Sequence, residues 1–313
     1  MDIDRGKELI NDILREIRKV YVGKQDLVKL TVATLLSGGH LLIEGYPGTG
    51  KTLLAKALAK VIGGEYRRVQ GHPDILPSDI LGFHVYQLTG EKIFVKGPVF
   101  THILLFDELN RTPTRSQSAL LQAMQEYAVS IDGVTYELPR PFMVIATQIP
   151  VKLAAGAYSI METLIDRFAA RVFSNYNPPD EEKDIVMKSD SILTLPIETV
   201  TSPSVVNELV ESIPKLVYLS DAVADYIVRL VTYVRQHEAV LYGPSHRATI
   251  HLMRISRVLA LMDGRDYVIP DDVKEAAVPV IAHRVKIKEE YEVEGVTGED
   301  LVSEALKKVP VPR

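Results

Sequence analysis

The chain has no cysteine. That excludes disulfides, zinc–thiolate sites and cysteine nucleophiles together. No apolar run approaches the ~18 residues that a membrane-spanning helix needs, so no membrane association is expected. The opening stretch MDIDRGKELI is charged and lacks the apolar segment of a signal peptide, which makes a cytoplasmic location the expectation. Asn and Gln are sparse, a composition associated with hot habitats. Positive charge is not in excess either: the net charge is -5, with Lys and Arg dispersed. A protein that grips a nucleic-acid backbone presents a basic face, so nucleic acid is not the expected partner. The histidines are scattered without an H-E-x-x-H pattern, and no G-x-S-x-G marks a serine nucleophile. What remains is a chain of 313 residues, 46% hydrophobic, long enough for more than one domain with a real core.

Two motifs carry chemistry. The stretch GYPGTGKT, Gly45 to Thr52, fits G-x-x-x-x-G-K-[ST]. Its setting is right: the apolar run His40 to Glu44 reads as a buried strand before it. Leu53, Leu54, Ala57, Leu58 and Val61 mark one face of a helix after it, with Gly63 as the stop. In such a loop the backbone N–H groups at a helix amino terminus bind phosphate oxygens. The expected nucleotide contacts are Gly45, Pro47, Gly48, Thr49, Gly50, Lys51, Thr52 and Leu53. Lys51 adds a charge near the β and γ phosphates, and the Thr52 hydroxyl is a candidate Mg²⁺ ligand. The second motif is THILLFDELN, an apolar run ending in Asp107-Glu108. Asp107 is a candidate for the Mg²⁺ shell, and Glu108 for orienting or deprotonating a water. The alternative for this acid pair is the capping of the next helix. No N-K-x-D follows, so a guanine site of the Ras kind is not expected.

The rest of the chain alternates. Residues 7–37 read as helix with a break at Tyr21 to Gln25, and Tyr66 to Gln70 as a strand. Residues 83–97 read as a β-hairpin turning at Thr89-Gly90, and residues 129–138 as a second, with Asp132-Gly133 suited to a type I′ turn. TRSQSALLQAMQEY reads as one amphipathic helix and PFMVIAT as a buried strand. Strands alternating with helices predict an α/β fold with a largely parallel sheet. Pro178 and Pro179 suggest a division into residues 1–178 and an all-helical part, residues 179–313, with helices over 202–213, 219–237, 246–263 and 270–284. The acidic KEEYEVEGVTGED reads as a solvated tail or the edge of that part.

These pieces together carry a resemblance. VGKQ, GYPGTGKT, RRVQGHPDILPSDILG, GPVFTHILLFDELNRTPTRSQSALLQAMQE, PFMVIATQIP, LIDRF, GPSHRA and YVIPDDVKEAAVPVIAHR recur in this order in AAA+ ATPases of the MoxR family, and the match runs over almost the full length. The resemblance implies an αβα nucleotide core with a helical lid, and ATP with Mg²⁺ bound between subunits of a homo-oligomeric ring, usually of six. It implies that the two hairpins are inserts facing the pore. Arg167 in LIDRF resembles the arginine finger that reaches a neighbour's γ-phosphate. Arg247 in GPSHRA resembles sensor 2, a lid arginine that reads the γ-phosphate. Val22 and Gly23 resemble the adenine-side contact. Asn110 and Arg111 follow the acid pair closely.

The chain departs from the family pattern at sensor 1. A-T-Q-N-P is usual there, and this chain has Ala146, Thr147, Gln148, Ile149 and Pro150. An isoleucine in place of the asparagine predicts slow hydrolysis unless Gln148 substitutes. Lys152 stands where the family has an acid, and GAYSIME loosens a common G-T-Y-P-L-P-E. The function implied is a chaperone-like ATPase that remodels a client, with von Willebrand factor A-domain proteins as the family's frequent partners. The alternatives are a nucleic-acid motor on the same fold and a nucleotide-gated scaffold with weak hydrolysis.

Overall fold

The computed structural model describes residues 1–88, 90–150, 158–194 and 197–312. Helix α1 (Ile3–Val20) is capped by the Asp2 carboxylate, which accepts from the Arg5 amide, and buries Ile10, Ile13, Leu14 and Ile17 at helical spacing. After a break that includes Gly23 come α2 (Gln25–Leu36), β1 (Leu41–Gly45), the glycine loop and α3 (Lys51–Val61). Then follow β2 (Tyr66–Gln70), α4 (Pro77–Leu81), β3 (Gly82–Tyr86), β4 (Lys92–Lys96) and β5 (Ile103–Asp107). A 3₁₀ turn, Leu109–Arg111, leads to α5 (Thr114–Gln117) and α6 (Ala119–Glu126), so the helix expected over 114–127 is broken at Ser118. The core part continues with β6 (Ala128–Ile131), β7 (Val134–Glu137), β8 (Met143–Gln148), α7 (Glu162–Ile165) and β9 (Ala170–Ser174).

The five long strands form a parallel sheet in the order β2-β5-β8-β1-β9. Both faces of β1, β5 and β8 are covered, which is why these strands are continuous apolar runs rather than alternating ones. In register, Gly45 lies opposite Ser174, Glu44 opposite Gln148 and Gln70 opposite Asp107. The carboxyl ends of all five strands therefore open on one edge, where ligands of open α/β sheets bind.

Both expected hairpins are present. β3 and β4 pair Phe83 with Val95 and Val85 with Ile93, and these four side chains lie on one exposed face. Thr89 in the turn lies outside the described residues. In the second hairpin, Asp132 and Gly133 have φ of 50° and 79°, the two positive values a type I′ turn requires. His84 joins the hairpins, bonding Asp132 at 2.8 Å and Tyr136 at 2.9 Å, while Phe94 stacks on Tyr136 at 4.2 Å.

Beyond the sheet run α8 (Pro179–Thr194), α9 (Pro203–Leu216), α10 (Asp221–Arg235), β10 (Val240–Tyr242), α11 (His246–Met262) and α12 (Pro270–Ile281). A 3₁₀ turn, Ala282–Arg284, is followed by β11 (Lys286–Ile287), α13 (Glu289–Val293) and α14 (Gly298–Lys308). The short antiparallel pair β10/β11 was not legible as such, since each strand is only two or three residues long. The acidic stretch lies at the edge of the helical part, as α13, which buries none of its residues, and the start of α14. Thr297 and Asp300 form a capping box that starts α14, which buries Leu301, Val302 and Ala305 and packs on α10 and α12. One apolar cluster runs from α1, α2 and α3 into α9, α10, α11 and α12, so the helical part packs directly on the nucleotide core. Among the described residues, no helix is long and apolar enough to cross a membrane.

Candidate active site

The glycine loop turns tightly out of β1 into α3. A Cβ at Gly45 would meet the Ser174 carbonyl at 2.3 Å, so only glycine fits beside β9. Gly50 sits at φ 84°, a left-handed conformation that opens α3 with its amides facing the loop. The Lys51 ammonium lies over the loop, donating to Tyr46 O at 2.6 Å and Gly45 O at 3.3 Å. Burial pushes the Lys51 pKa down, against the opposing pull of Asp107 and Glu108. The loop is braced from behind: Tyr21 Oη and Lys24 Nζ each donate to Thr49 O at 3.3 Å, and Ser174 Oγ donates to Thr49 Oγ1 at 3.1 Å. Desolvation pushes Tyr21 up to about 12, which keeps it a neutral donor.

Two adjoining cavities meet at Gly48, Thr49 and Gly50. One, of about 200 Å³, is lined by the loop from Gly45 to Thr52, by Asp107 and Glu108, and by Thr147, Gln148 and Ile149. The other, of about 370 Å³, is lined by apolar side chains, among them Val20, Tyr21, Val22, Leu53, Ile185 and Ile192. A polar cleft under a helix amino terminus beside an apolar slot suits a triphosphate and a flat base. Gly23 lies behind the slot: a Cβ there would sit 2.4 Å from Asn177 Nδ2, the atom that donates to Val22 O at 3.2 Å.

The acids stand at the mouth of the polar cleft. Asp107 Oδ1 accepts from Thr147 Oγ1 at 2.6 Å, and Oδ2 from Arg68 at 2.6 Å. Thr147 Oγ1 in turn accepts from the Glu108 amide at 2.8 Å. Glu108 has φ 57° and ψ 51°, a left-handed conformation that costs a residue with a side chain about 1–3 kcal/mol and is typical of functional sites. Its carboxylate pairs with Arg111 Nε at 2.9 Å. Asn110 is buried and donates to Ile149 O at 3.1 Å, tying the acid turn to the end of β8. Gln148 donates to Glu44 at 2.8 Å, and Glu44 also meets Arg171 at 3.4 Å. Ile149 offers the cleft no side-chain donor. Lys152, and Gly156 and Ala157 of GAYSIME, lie outside the described residues.

Arg167 and Arg247 line neither cavity of their own chain. The structure instead brings them to each other. Arg167 donates to Gln125 Oε1 at 2.8 Å and to Thr163 O at 2.5 Å. Arg247 donates to the same Gln125 oxygen at 3.1 Å and pairs with Asp166 at 2.9 Å. Arg247, expected to read the γ-phosphate from the lid, lies in this structure beside Arg167 on Gln125 and Asp166.

A parallel sheet of this strand order, a glycine cradle with its acid pair and a packed helical lid define a AAA+ ATPase. The comparisons agree. The ATPase family associated with various cellular activities (AAA) matches residues 40–170, and the AAA lid domain matches residues 233–305. The chain is 35% identical to the Mycobacterium tuberculosis protein named Chaperone MoxR1, over 95% of this chain and 81% of that one. It is 40% identical to the Bacillus subtilis protein YeaC, named as uncharacterized, over 97% and 95% of the two chains. A Cytophaga hutchinsonii protein proposed to be an ATPase superposes with a TM-score of 0.90 at 34% identity, covering 99% and 97% of the chains. The chain belongs to the MoxR family of AAA+ ATPases and binds nucleotide as that family does.

Several residues of the site were not singled out from sequence: Tyr21, Lys24, Arg68, Gln125, Thr147 and Ser174. Thr147 carried a signal, as the one hydroxyl closing the apolar run FMVIAT. Arg68 also carried one, as a charge in a strand that pairs with the acid-bearing strand.

Proposed function

We propose that the chain hydrolyses ATP with Mg²⁺ at sites shared between neighbouring subunits of a ring, and that the cycle remodels a client protein. The observation that carries this reading is the pairing of Arg167 and Arg247 on Gln125 and Asp166, away from their own cleft. Two arginines held together with no phosphate cradle beside them are suited to a neighbour's nucleotide. Such fingers contribute ~10³ to 10⁵ in rate by stabilising charge on the γ-oxygens. Six subunits is the number the family resemblance suggests.

Thr52 and Asp107 supply hard oxygen donors of the kind Mg²⁺ takes. Among the described residues no cluster of three or more acidic, histidine or cysteine side chains could hold a metal by itself. Mg²⁺ would therefore be held jointly with phosphate oxygens, where it neutralises their charge. Lys51 binds the β and γ phosphates. Glu108, released from Arg111, accepts a proton from the attacking water, and Thr147 fixes both acids. Gln148, the residue before Ile149, lines the same cleft with a polar side chain. The base lies in the slot beside Val22 and Leu53.

The end of β9 at Ser174 and the start of α8 at Pro179 support a division between core and lid at Pro178-Pro179. The chaperone name of a relative supports a protein client. A von Willebrand factor A-domain partner and a cytoplasmic site of action accord with the family resemblance. The test is Mg²⁺-dependent turnover per subunit against protein concentration. A specific rate that climbs with concentration supports the shared site. A rate near zero at every concentration would favour the scaffold reading, for which Ile149 is the motivating residue.

A further inference from the structure

Arg167 lies in the four residues, Asp166 to Ala169, that join α7 to β9. The carbonyls of this joint are taken by the lid. The Arg284 guanidinium donates to Asp166 O at 3.1 Å and to Phe168 O at 2.5 Å, reaches Ala169 O at 3.5 Å, and also bonds Val280 O. Its Nε meets Asp166 Oδ1 at 3.2 Å. His283 Nε2 adds a second bond to Phe168 O at 3.1 Å. The Asp166 carboxylate is also held by Ser245 Oγ at 2.7 Å and Arg247 at 2.9 Å, both at the start of α11. The Arg284 side chain is 1% exposed. Burial pushes its pKa down to about 10, with Asp166 opposing, so it stays charged at neutral pH.

A buried guanidinium spending its donors on backbone carbonyls is a costly way to fill space, since an apolar side chain would do that without desolvating a charge. Its five-donor fork does something an apolar group cannot: it fixes the carbonyls on both sides of one residue. That residue is Arg167. We propose that Arg284 is a positioning residue for the arginine finger, fixing the Asp166–Ala169 joint to the lid of its own chain and so setting how Arg167 meets the neighbouring subunit's nucleotide. This rests on the reading that Arg167 acts in trans.

The test is subunit mixing with Arg284→Lys, which keeps the charge and loses the fork. Alone, this variant should turn over ATP about 10²-fold more slowly, the scale of a small misplacement of a catalytic group. Its affinity for a fluorescent ATP analogue should be unchanged, and amide hydrogen exchange over residues 163–170 should quicken. Mixed with Lys51→Ala subunits, which retain a finger but have a disabled cradle, it should regain activity. Mixed with Arg167→Ala subunits it should not, because no working finger is present. The reference mixture, Lys51→Ala with Arg167→Ala, should recover. If the reference recovers and Arg284→Lys also recovers with Arg167→Ala, the positioning role is overturned and the shared site stands. Wild-type turnover by Arg284→Lys alone overturns it as well. A silent reference mixture overturns the shared site and the positioning role together. Asp166→Asn, which keeps the shape and removes the charge, should show the same mixing pattern and replaces Arg284→Lys if that variant does not fold.

Discussion

The Thr147 hydroxyl is the smallest group on which the acid pair depends. It donates to Asp107 at 2.6 Å and accepts from the Glu108 amide at 2.8 Å, and the residue is 1% exposed. Thr147→Val keeps the volume and the β-branch but removes both bonds. A hydrogen bond to a charged acceptor is worth about 2 kcal/mol, so folding stability should fall by about that much. The larger consequence is catalytic. Glu108 sits in a left-handed conformation that its neighbours must impose, and the Thr147 bond to its amide is one of the restraints. About 2 kcal/mol lost in the transition state is roughly 30-fold in turnover. The phosphate loop and the base slot do not depend on this hydroxyl, so nucleotide affinity should stay within about threefold. The assay is steady-state ATP turnover beside equilibrium binding of a fluorescent analogue, with Thr147→Ser as the control that restores the hydroxyl. A well-folded Val variant turning over within about threefold of wild type would refute the reasoning. So would a Ser variant as impaired as the Val one.

Four further outcomes are expected. Glu108→Gln should bind ATP normally and lose about 10²- to 10⁴-fold in turnover, read from the same pair of assays. Ile149→Asn adds a donor beside Gln148 and should raise turnover about fivefold, the effect of one ordinary hydrogen bond; no gain would mean the position is not limiting. Leu301→Ala should cost about 3 kcal/mol in urea unfolding, because Leu301 is 2% exposed in α14; a cost near zero would refute the packing of α14 on the lid. Acid should destabilise the fold through two buried histidines. Burial lowers His40 to about 4 and His283 well below 6.5, so below pH 6.5 the unfolded chain takes up protons that the native chain refuses. Stability should therefore fall with pH from about 6.5 downward, by up to about 1.4 kcal/mol per pH unit for each histidine. Urea midpoints that do not move between pH 7 and 5.5 would refute this.

The nucleotide core was legible because its signals are local and redundant. GYPGTGKT is confirmed by the strand before it and the helix after it, and Asp132-Gly133 fixes its own turn within two residues. The misreadings lie where a few residues decide the outcome. β10 and β11 are too short for alternation to show, and the helix over 114–127 breaks at Ser118, although its backbone keeps φ -62° and ψ -22°, near helical. The acidic stretch fits the second of its two readings, the edge of the helical part: α13 carries several of its acids and buries no residue, and Thr297 and Asp300 cap α14, whose Leu301, Val302 and Ala305 face inward.

The site divides the same way. Lys51, Thr52, Asp107 and Glu108 line one cleft, and sequence points to them because each occupies a motif position whose chemistry is local. Arg68, Thr147, Gln125 and Arg284 were missed because each acts on a residue 39 or more positions away: Arg68 on Asp107 and Arg284 on Asp166 are 39 and 118 residues apart in sequence. Thr147 and Arg68 carry faint signals, but nothing local names their partners, and Gln125 and Arg284 look like any solvated polar residue of a helix or helix end. Arg247 shows the other limit. Its motif marks the residue but not its neighbours, because these depend on how the lid packs against α7 and β9. The packing puts Arg247 on Asp166, one residue from Arg167, and the two arginines on one glutamine oxygen. The lid therefore holds the Asp166-Arg167 segment of its own chain through Arg247, Ser245 and Arg284.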